Sequence, residues 1–385
     1  MNLKTVGVAL TLCLSCMVGS SNAQWYSSAD FLIMKRYGND NAVFQRQAVQ
    51  TFNRTVDIET TTVTVGPTTT TTETPIRVEE ITDDLVGGSV LRADDVDFGH
   101  MPGGRLLIGR RFGDFGLEGS WLWTDTWSGD ASVSSGNGDL VGPFVSEGAL
   151  LNRHTYIEHI PTSTVLLDQD SLQPAIEHLN TFSQIEHRSK LRTGDLSMTA
   201  RLMESSISTV TFLGGFRYAD LEESFGYNST RSTVPVGIVP TVNSPSQSIQ
   251  TRNRLFGPQI GLAIDSGIRE KLILNLSAKT TLAYNEVDRD LSWSPDVTDP
   301  TLNVFTSSRD STASFLGEFS MKGTLYLTTN LSIHAGYEVL VLSDVALAPD
   351  NFERNINALN LGSSLINANS RVAFGSPVFG TTLSF

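Results

Sequence analysis

The chain has 385 residues, with 41 acidic side chains against 27 Lys and Arg and a net charge of −14. This balance disfavours nucleic-acid binding, which requires a basic face that displaces phosphate counterions, and equally a polybasic membrane-surface protein. Aromatic residues make up 8% of the chain, so full disorder is also disfavoured. The low charge together with abundant Gly and Thr favours an all-β protein.

The first 23 residues have the pattern of a secretory signal peptide. Lys4 supplies a short basic start, an apolar run extends from Val6 to Val18, and the small residues Ser21 and Ala23 precede Gln24. The run is too short for a membrane-spanning helix. Both cysteines lie in this segment, so cleavage after Ala23 leaves no cysteine and 26 Lys and Arg against 41 acids, a net charge of −15.

Apolar and polar side chains alternate in ten segments after the leader. These segments are 25–34, 103–112, 116–125, 195–203, 208–220, 255–265, 271–285, 314–327, 331–343 and 376–385. In one of them Leu274, Leu276 and Leu282 share a face, while Asn275 and Lys279 lie on the other. A period of two predicts strands with one apolar and one polar face, and several are longer than the usual strand of a soluble protein.

The connections between these strands alternate between short and long. The short ones are 113–115, 204–207, 266–270 and 328–330, and the five between them are several times longer. Outer-membrane barrels show this asymmetry, with an even number of strands, whereas a soluble sandwich gives no reason for it. We therefore predict for residues 24–385 an all-β fold, an antiparallel transmembrane β-barrel of about ten strands with short periplasmic turns and long extracellular loops. Twelve strands are the alternative.

The last segment is similar to the signal that outer-membrane barrels present to their assembly machinery. Phe379 and Leu383 share one face, and the chain ends at Phe385. We predict that these three residues form an assembly signal, with the barrel-assembly machinery and outer-membrane lipid as partners. The plainer interpretation is the ordinary enrichment of aromatic residues in β-sheets.

Several segments resemble, in the same order, the putative β-barrel porin 7 family, outer-membrane proteins found mainly in planctomycete bacteria. They are Trp25 to Met34, Gly103 to Gly109, Phe115 to Ser120, Val141 to Phe144, Leu213 to Tyr218 with Leu221 to Glu223, Phe256 to Leu262, Lys279, Gly336 with Tyr337, and Asp344 to Ala346 leading to Pro349. The most specific part surrounds Arg217. Ala348 departs from the family, which often carries Arg there. The resemblance implies an outer-membrane barrel in the bacterial cell envelope.

Parity within the predicted strands assigns a set of polar side chains to the barrel interior. They are Arg201, Arg217, Gln259, Lys279, Glu318, Lys322 and Glu338. Arg or Lys facing lipid at the midplane costs about 2–4 kcal/mol, so the lumen is the physical solution. One interpretation is a pore whose mixed charge sets solute selectivity. The other is a narrow lumen that paired acids and bases plug, since ten strands lie near the size at which side chains fill a barrel.

Residues 128–194 form the long loop after the third predicted strand and contain four of the six histidines: His154, His159, His178 and His187. Their spacing fits no compact zinc pattern, so no metal site is predicted. Apolar residues at helical spacing predict an amphipathic helix over 171–191, lying on the barrel mouth. For the Thr-rich stretch at about 55–75 we predict a flexible extracellular loop, with a glycosylated or adhesive segment as the alternative.

The leading functional prediction is a porin that gives passive passage to small hydrophilic solutes. The alternative is a closed structural or surface-interaction barrel whose extracellular loops bind an envelope or external ligand. The sequence contains no phosphate-binding Gly-rich loop, nucleophile elbow or HExxH motif. We therefore predict neither an enzyme nor a cofactor, although barrel proteases with Asp and His at the extracellular rim exist. His154 and Asp168 are candidates for such a pair.

Overall fold

The computed structural model describes residues 24–38, 43–47, 49–65, 68–84, 89–135, 140–143, 151–159, 179–232, 242–269, 271–294, 303–354 and 365–385. The predicted leader, Asp168 and His178 lie outside these ranges. Among the described residues, no helix is long and apolar enough to cross a membrane.

The described residues form eighteen strands. Their bounds are β1 Gln24–Gly38, β2 Val43–Gln47, β3 Val49–Val65, β4 Thr68–Asp84, β5 Ser89–Arg92, β6 Met101–Phe112, β7 Phe115–Thr124, β8 Trp127–Ser134, β9 Leu140–Val141, β10 Leu151–His159, β11 Leu179–Glu204, β12 Ser208–Ser232, β13 Val242–Asn243, β14 Ser246–Arg269, β15 Leu272–Ser294, β16 Val304–Tyr326, β17 Leu331–Val345 and β18 Ser370–Ser384. Short 3-10 turns occupy Ala93–Asp95 and Pro349–Asn351.

Ten of these strands close into an antiparallel barrel. The order around the ring is β1, β6, β7, β11, β12, β14, β15, β16, β17 and β18, and β18 pairs with β1 to close it. Every predicted segment overlaps one ring strand, so the predicted fold class and the count of ten strands are confirmed. Tight turns such as 113–114 join neighbours at one end, where Gly113 adopts a φ of 64° that favours glycine. We call this the turn end and the opposite end the loop end.

A band of apolar side chains covers the outside of the barrel towards the turn end. Its members, all exposed, include Phe31, Phe115, Leu117, Trp121, Leu196, Met198, Phe212, Phe216, Phe256, Ile260, Leu262, Leu282, Phe315, Phe319, Met321, Ile333, Phe379 and Leu383. Side chains of this kind are expected where a barrel contacts hydrocarbon. We call this band the apolar belt.

Five consecutive strands continue well beyond the belt, so the connections at the loop end are shorter than predicted. β11 has 26 residues and β12 has 25, against the roughly 9–11 that a bilayer requires. On β12 the outward residues change from Phe212 and Phe216 to Glu222 and Ser224. The inward residues there include Leu221, Phe225 and Tyr227, with Glu223 among them. The alternation therefore inverts where the wall leaves the belt, and the predicted strands end at this inversion.

The helix predicted over 171–191 is wrong where the structure describes it. Residues 179–191 form the first half of β11, which pairs with β8 and β12. Ile185, His187 and Leu191 face the interior and Arg188 faces out, which is a period of two. The apolar residues whose spacing predicts a helix thus lie in a strand and face the barrel interior.

The structure also differs from the flexible loop predicted at 55–75. β3 and β4 pair in register from Val49 opposite Asp84 to Val65 opposite Thr68, and β10 adds a third strand. Threonine is β-branched and favours extended backbone, so a run of Thr can form a hairpin as readily as a linker. This three-stranded sheet is separate from the barrel sheet.

Candidate functional site

Ion pairs cross the lumen at the level of the belt. Arg217 on β12 contacts Glu318 on β16 at 2.5 Å, with side-chain exposures of 2% and 5%. Lys279 on β15 lies 3.7 Å from Asp195 on β11. Two other strands separate the partners of each pair around the ring. Each contact therefore spans the interior and does not join wall neighbours.

Two further cross-lumen contacts lie near the seam between the first and last strands. Arg105 on β6 forms a bidentate ion pair with Glu338 on β17. Lys322 on β16 donates to Asp30 on β1 at 3.0 Å, and His334 contacts the same carboxylate at 2.9 Å. A bidentate Arg–carboxylate pair is geometrically specific and among the stronger polar contacts. Charge in this half of the lumen is thus locally compensated.

The residues predicted to line the lumen fall into two groups. Arg217, Glu318, Glu338, Lys279 and Lys322 belong to the cross-lumen pairs above, and Gln259 is buried and donates to Ser197 at 2.5 Å. Arg201 lies at the turn end, where it pairs with Glu204 and lies 3.7 Å from Asp114. Their role in conduction stays a prediction.

Sequence reasoning missed three of the eight partners in the four cross-lumen pairs. Asp30 and Arg105 lie inside two predicted strands, and the parity rule, if applied there, would have placed both inward. Asp195 opens a third predicted strand and faces the interior in the same way. The pairings themselves carry no sequence signal, because they depend on which strands face each other across the ring.

Apolar side chains fill the lumen towards the loop end. Two connecting segments, 89–98 and 346–352, fold inward and pack with Phe44 against the barrel wall. The ring centroids of Phe44 and Phe225 are 4.8 Å apart, and Phe352 meets Phe44 edge-on at 4.9 Å. We call these two segments with Phe44 the plug. Its packing resembles the core of a soluble protein, with aromatic pairs at favourable distances.

One ion pair is buried within the plug region. Arg36 on β1 donates to Glu223 on β12 at 2.8 Å, and the two side chains are 1% and 0% exposed. Glu223 also accepts from Ser189 at 3.1 Å and from the backbone N–H of Ala348 at 3.2 Å, and His187 lies 3.4 Å away. Because Ala348 belongs to the plug, this carboxylate ties the plug to both sides of the wall.

The charges around Glu223 hold it ionised. Its outward neighbours Glu222 and Ser224 are polar, so this part of β12 lies beyond the apolar belt. Burial alone would raise the pKa of the Glu223 carboxyl, but Arg36 and His187 outweigh burial and lower that pKa to about 2.

A turn at the end of β17 directs the plug inward. Asp344 adopts a φ of 58°, which is uncommon for a residue other than glycine. Its carbonyl accepts from Ser314 at 2.5 Å. Asn253 then holds Ala346 with two hydrogen bonds of 2.8 Å, one to the carbonyl and one from the N–H. Barrel side chains thus satisfy the backbone of the inserted segment, as buried polar groups require.

The remaining predicted residues are placed as follows. Phe379 and Leu383 lie on the outer face of β18, and the N–H of Phe385 donates to Trp25 at 2.9 Å. Their part in assembly stays a prediction. The backbone of His154 and His159 lies in β10, and His187 is in the plug region. Among the described residues, no three His, Cys, Asp or Glu side chains come together as metal ligands.

The family described as Putative beta barrel porin-7 (BBP7) matches residues 26–377, and no curated protein matches the chain significantly. Similar solved structures include the outer membrane protease OmpT from Escherichia coli, at 10% identity and a TM-score of 0.46, covering 96% of this chain and 99% of that one. The Pseudomonas putida toluene transporter TodX has 9% identity and a TM-score of 0.32, with 95% and 90% covered. A Pseudomonas aeruginosa FadL homologue has 12% identity and a TM-score of 0.28, with 95% and 90% covered.

The family match extends over nearly all of the chain that follows the predicted leader. It agrees with a closed antiparallel ring that carries an apolar belt outside and polar side chains inside. The chain therefore belongs to the putative beta barrel porin-7 family and is an outer-membrane β-barrel.

Proposed function

We propose that this protein is a closed outer-membrane barrel that acts as a structural or surface-interaction module, binding an envelope or external ligand at its loop end. The observation that carries the proposal is the occupied lumen. Four ion-pair contacts cross it at the belt, and a packed apolar plug fills it above. A buried apolar cluster offers no path for hydrated solutes, because their polar groups would lose water without replacement.

The wall beyond the belt supports a surface role. Its outward face carries charged residues in register across neighbouring strands, such as Lys190, Glu222, Arg252 and Asp288. A polar exterior around an apolar interior is the arrangement of a water-exposed domain. The projecting wall, together with the separate sheet of β3, β4 and β10, gives the loop end a large surface for recognition.

Planar bilayer recordings test this proposal. We expect the folded wild-type protein, inserted into a bilayer, to leave the baseline current unchanged. Folding would be verified on the same preparation by β-sheet circular dichroism and by the shifted gel mobility of the unheated barrel. Unitary current steps from the folded wild-type protein would overturn the closed-barrel proposal.

A porin that opens when the plug is released is the second candidate. The ionisable lining at the belt supports it, because that half of the lumen is hydrophilic, and so does the family. On this hypothesis, Asn253→Ala combined with Glu223→Gln removes contacts that hold Ala346 and Ala348, and current steps appear only in the variant. A silent, folded double variant would argue against the porin.

A non-catalytic role is part of the proposal. The candidate pair of His154 and Asp168 stays a prediction, because Asp168 and the side chains of β10 lie outside the part of the chain that the structure describes. The direct test is a fluorogenic peptide library incubated with folded protein in detergent and lipid. Cleavage by the wild type that His154→Ala abolishes would show the chain to be an enzyme.

A further inference from the structure

A cation contacts two aromatic rings on the outer face of the barrel at the turn end. Arg110 faces outward on β6, two residues before the strand ends at Phe112. Its guanidinium lies 4.9 Å from the Trp25 ring and 4.7 Å from the Phe112 ring. Tryptophan and arginine at this level are typical of the membrane–water interface. Guanidinium groups bind phosphate through two parallel hydrogen bonds.

A groove of about 710 Å³ opens on the same face, within the apolar belt. It crosses β16, β17, β18 and β1, where the small outward residues Gly323, Ala335 and Ala29 lie among larger ones. Phe31 and Phe379 form part of its wall and are 52% and 51% exposed. The volume is within the range of ligand pockets, and the lining is mainly apolar.

The cation and the groove lie along one strand. Trp25 and Ala29 both face outward on β1 and are four residues apart, which corresponds to about 13 Å at 3.3 Å per residue. Arg110 is the cross-strand partner of Trp25, and Ala29 borders the groove. A molecule with its anionic group at Arg110 could therefore extend an apolar tail from the interface into the groove.

We propose that this face is a binding site for an anionic phospholipid of the periplasmic leaflet, with its phosphate on Arg110 and an acyl chain in the groove. Short turns of outer-membrane barrels are periplasmic, which places Arg110 at that interface. A phospholipid matches both parts of the site, a charge at headgroup depth and hydrocarbon deeper in the belt. A second copy of the chain would have to present an anion and an apolar ridge at this same spacing.

The test is lipid retention by the full chain purified from membranes in a mild detergent. Phosphorus analysis and native mass spectrometry would measure phospholipid per chain before and after extended washing. We expect the wild type to keep a single phospholipid and Arg110→Gln to weaken its retention by about tenfold, as the loss of a charge-assisted hydrogen bond predicts. Arg188→Gln is the matched control, since it removes an arginine that faces solvent beyond the belt.

A second pair of variants tests the groove itself. Ala335→Leu fills the depression and should reduce retention, whereas Ala278→Leu adds the same volume elsewhere on the exposed belt and should not. Excess inorganic phosphate should leave the lipid in place, because free phosphate cannot use the groove. The proposal is overturned if folded wild type holds no phospholipid, or if Arg110→Gln or Ala335→Leu retains it fully. It is also overturned if the wild type is a dimer without lipid and Ala335→Leu makes it monomeric, because the groove would then bind a second copy of the chain.

Discussion

The buried pair of Arg36 and Glu223 gives the sharpest test of how the plug is held against the barrel wall. Glu223→Met removes the Glu223 carboxylate from the guanidinium of Arg36, at a position where both side chains are 1% exposed or less. Breaking a buried ion pair from one side costs about 3–5 kcal/mol, because an uncompensated charge stays inside. We expect Glu223→Met to lower the free energy of unfolding by this amount. The variant loses both the ion pair and the carboxylate that accepts hydrogen bonds from Ser189 and Ala348.

The double variant separates the contribution of the ion pair to stability from the cost of burying one charge after its partner is removed. Arg36→Met should be destabilising too, since it removes the cation that opposes the cost of burying the Glu223 carboxylate. With both residues changed to Met, neither charge remains, and uncharged replacements of similar size are often neutral or stabilising. We therefore expect the double variant to be more stable than either single variant. The measurement is urea unfolding in lipid vesicles, extrapolated linearly to zero denaturant.

Trp127 provides the fluorescence signal, because it is fully buried and donates to the carbonyl of Met34 at 3.2 Å within the plug region. Glu222→Gln is the matched control. That residue neighbours Glu223, faces outward, and lies 3.4 Å from Arg252 with both side chains about 40% exposed. Exposed pairs contribute about 0–1 kcal/mol, so little change is expected. A double Met variant that loses the sum of the two single losses would refute the reasoning.

Three other predictions concern Glu223, Lys279 and the predicted leader. The pKa of Glu223 is about 2 in the folded protein and about 4.3 in the unfolded chain. Its contribution to stability is therefore present above pH 4.3 and is lost as the pH falls towards 2. In Glu223→Gln, the free energy of unfolding should depend less on pH over that range. Lys279→Glu places an acid beside Asp195 and should lower the free energy of unfolding by about 3 kcal/mol or more. In a variant that conducts because the plug is released, the same substitution should shift ion selectivity towards cations, measured as the reversal potential. Amino-terminal sequencing of exported protein should begin at Gln24, and a start at Met1 would reject the leader.

The belt half of the barrel could be predicted from sequence because its physics is local. A lipid-facing strand must alternate Phe212 and Phe216 with inward polar residues, and this signal survives in a single chain. The strand count and the inward set around Arg217 follow from it. The choice of Glu318 as the partner of Arg217 does not, since two intervening strands of the closed ring set that distance.

The half beyond the belt could not be predicted in the same way, for a specific reason. There the alternation continues with its sign reversed, so that Glu222 faces out and Leu221 faces in. A search for apolar side chains facing lipid therefore ends the strand at the inversion and reads the remainder as loop. In β11 the same inverted stretch, with Ile185 and Leu191 inward, has the apolar spacing that predicts a helix from sequence. The inserted segments 89–98 and 346–352 carry no periodic signal that marks them as interior.

The inversion also links the fold to the closed lumen. A strand with apolar residues outside needs hydrocarbon around it, and a strand with apolar residues inside needs a core within it. The membrane surrounds the belt half with hydrocarbon. The ring beyond the belt would expose Phe225 and Leu221 to water if its interior were open. Phe44, Phe352 and the plug segments supply that missing core. The side-chain pattern that extends the strands is therefore matched by the plug, and releasing the plug would expose this apolar surface to water.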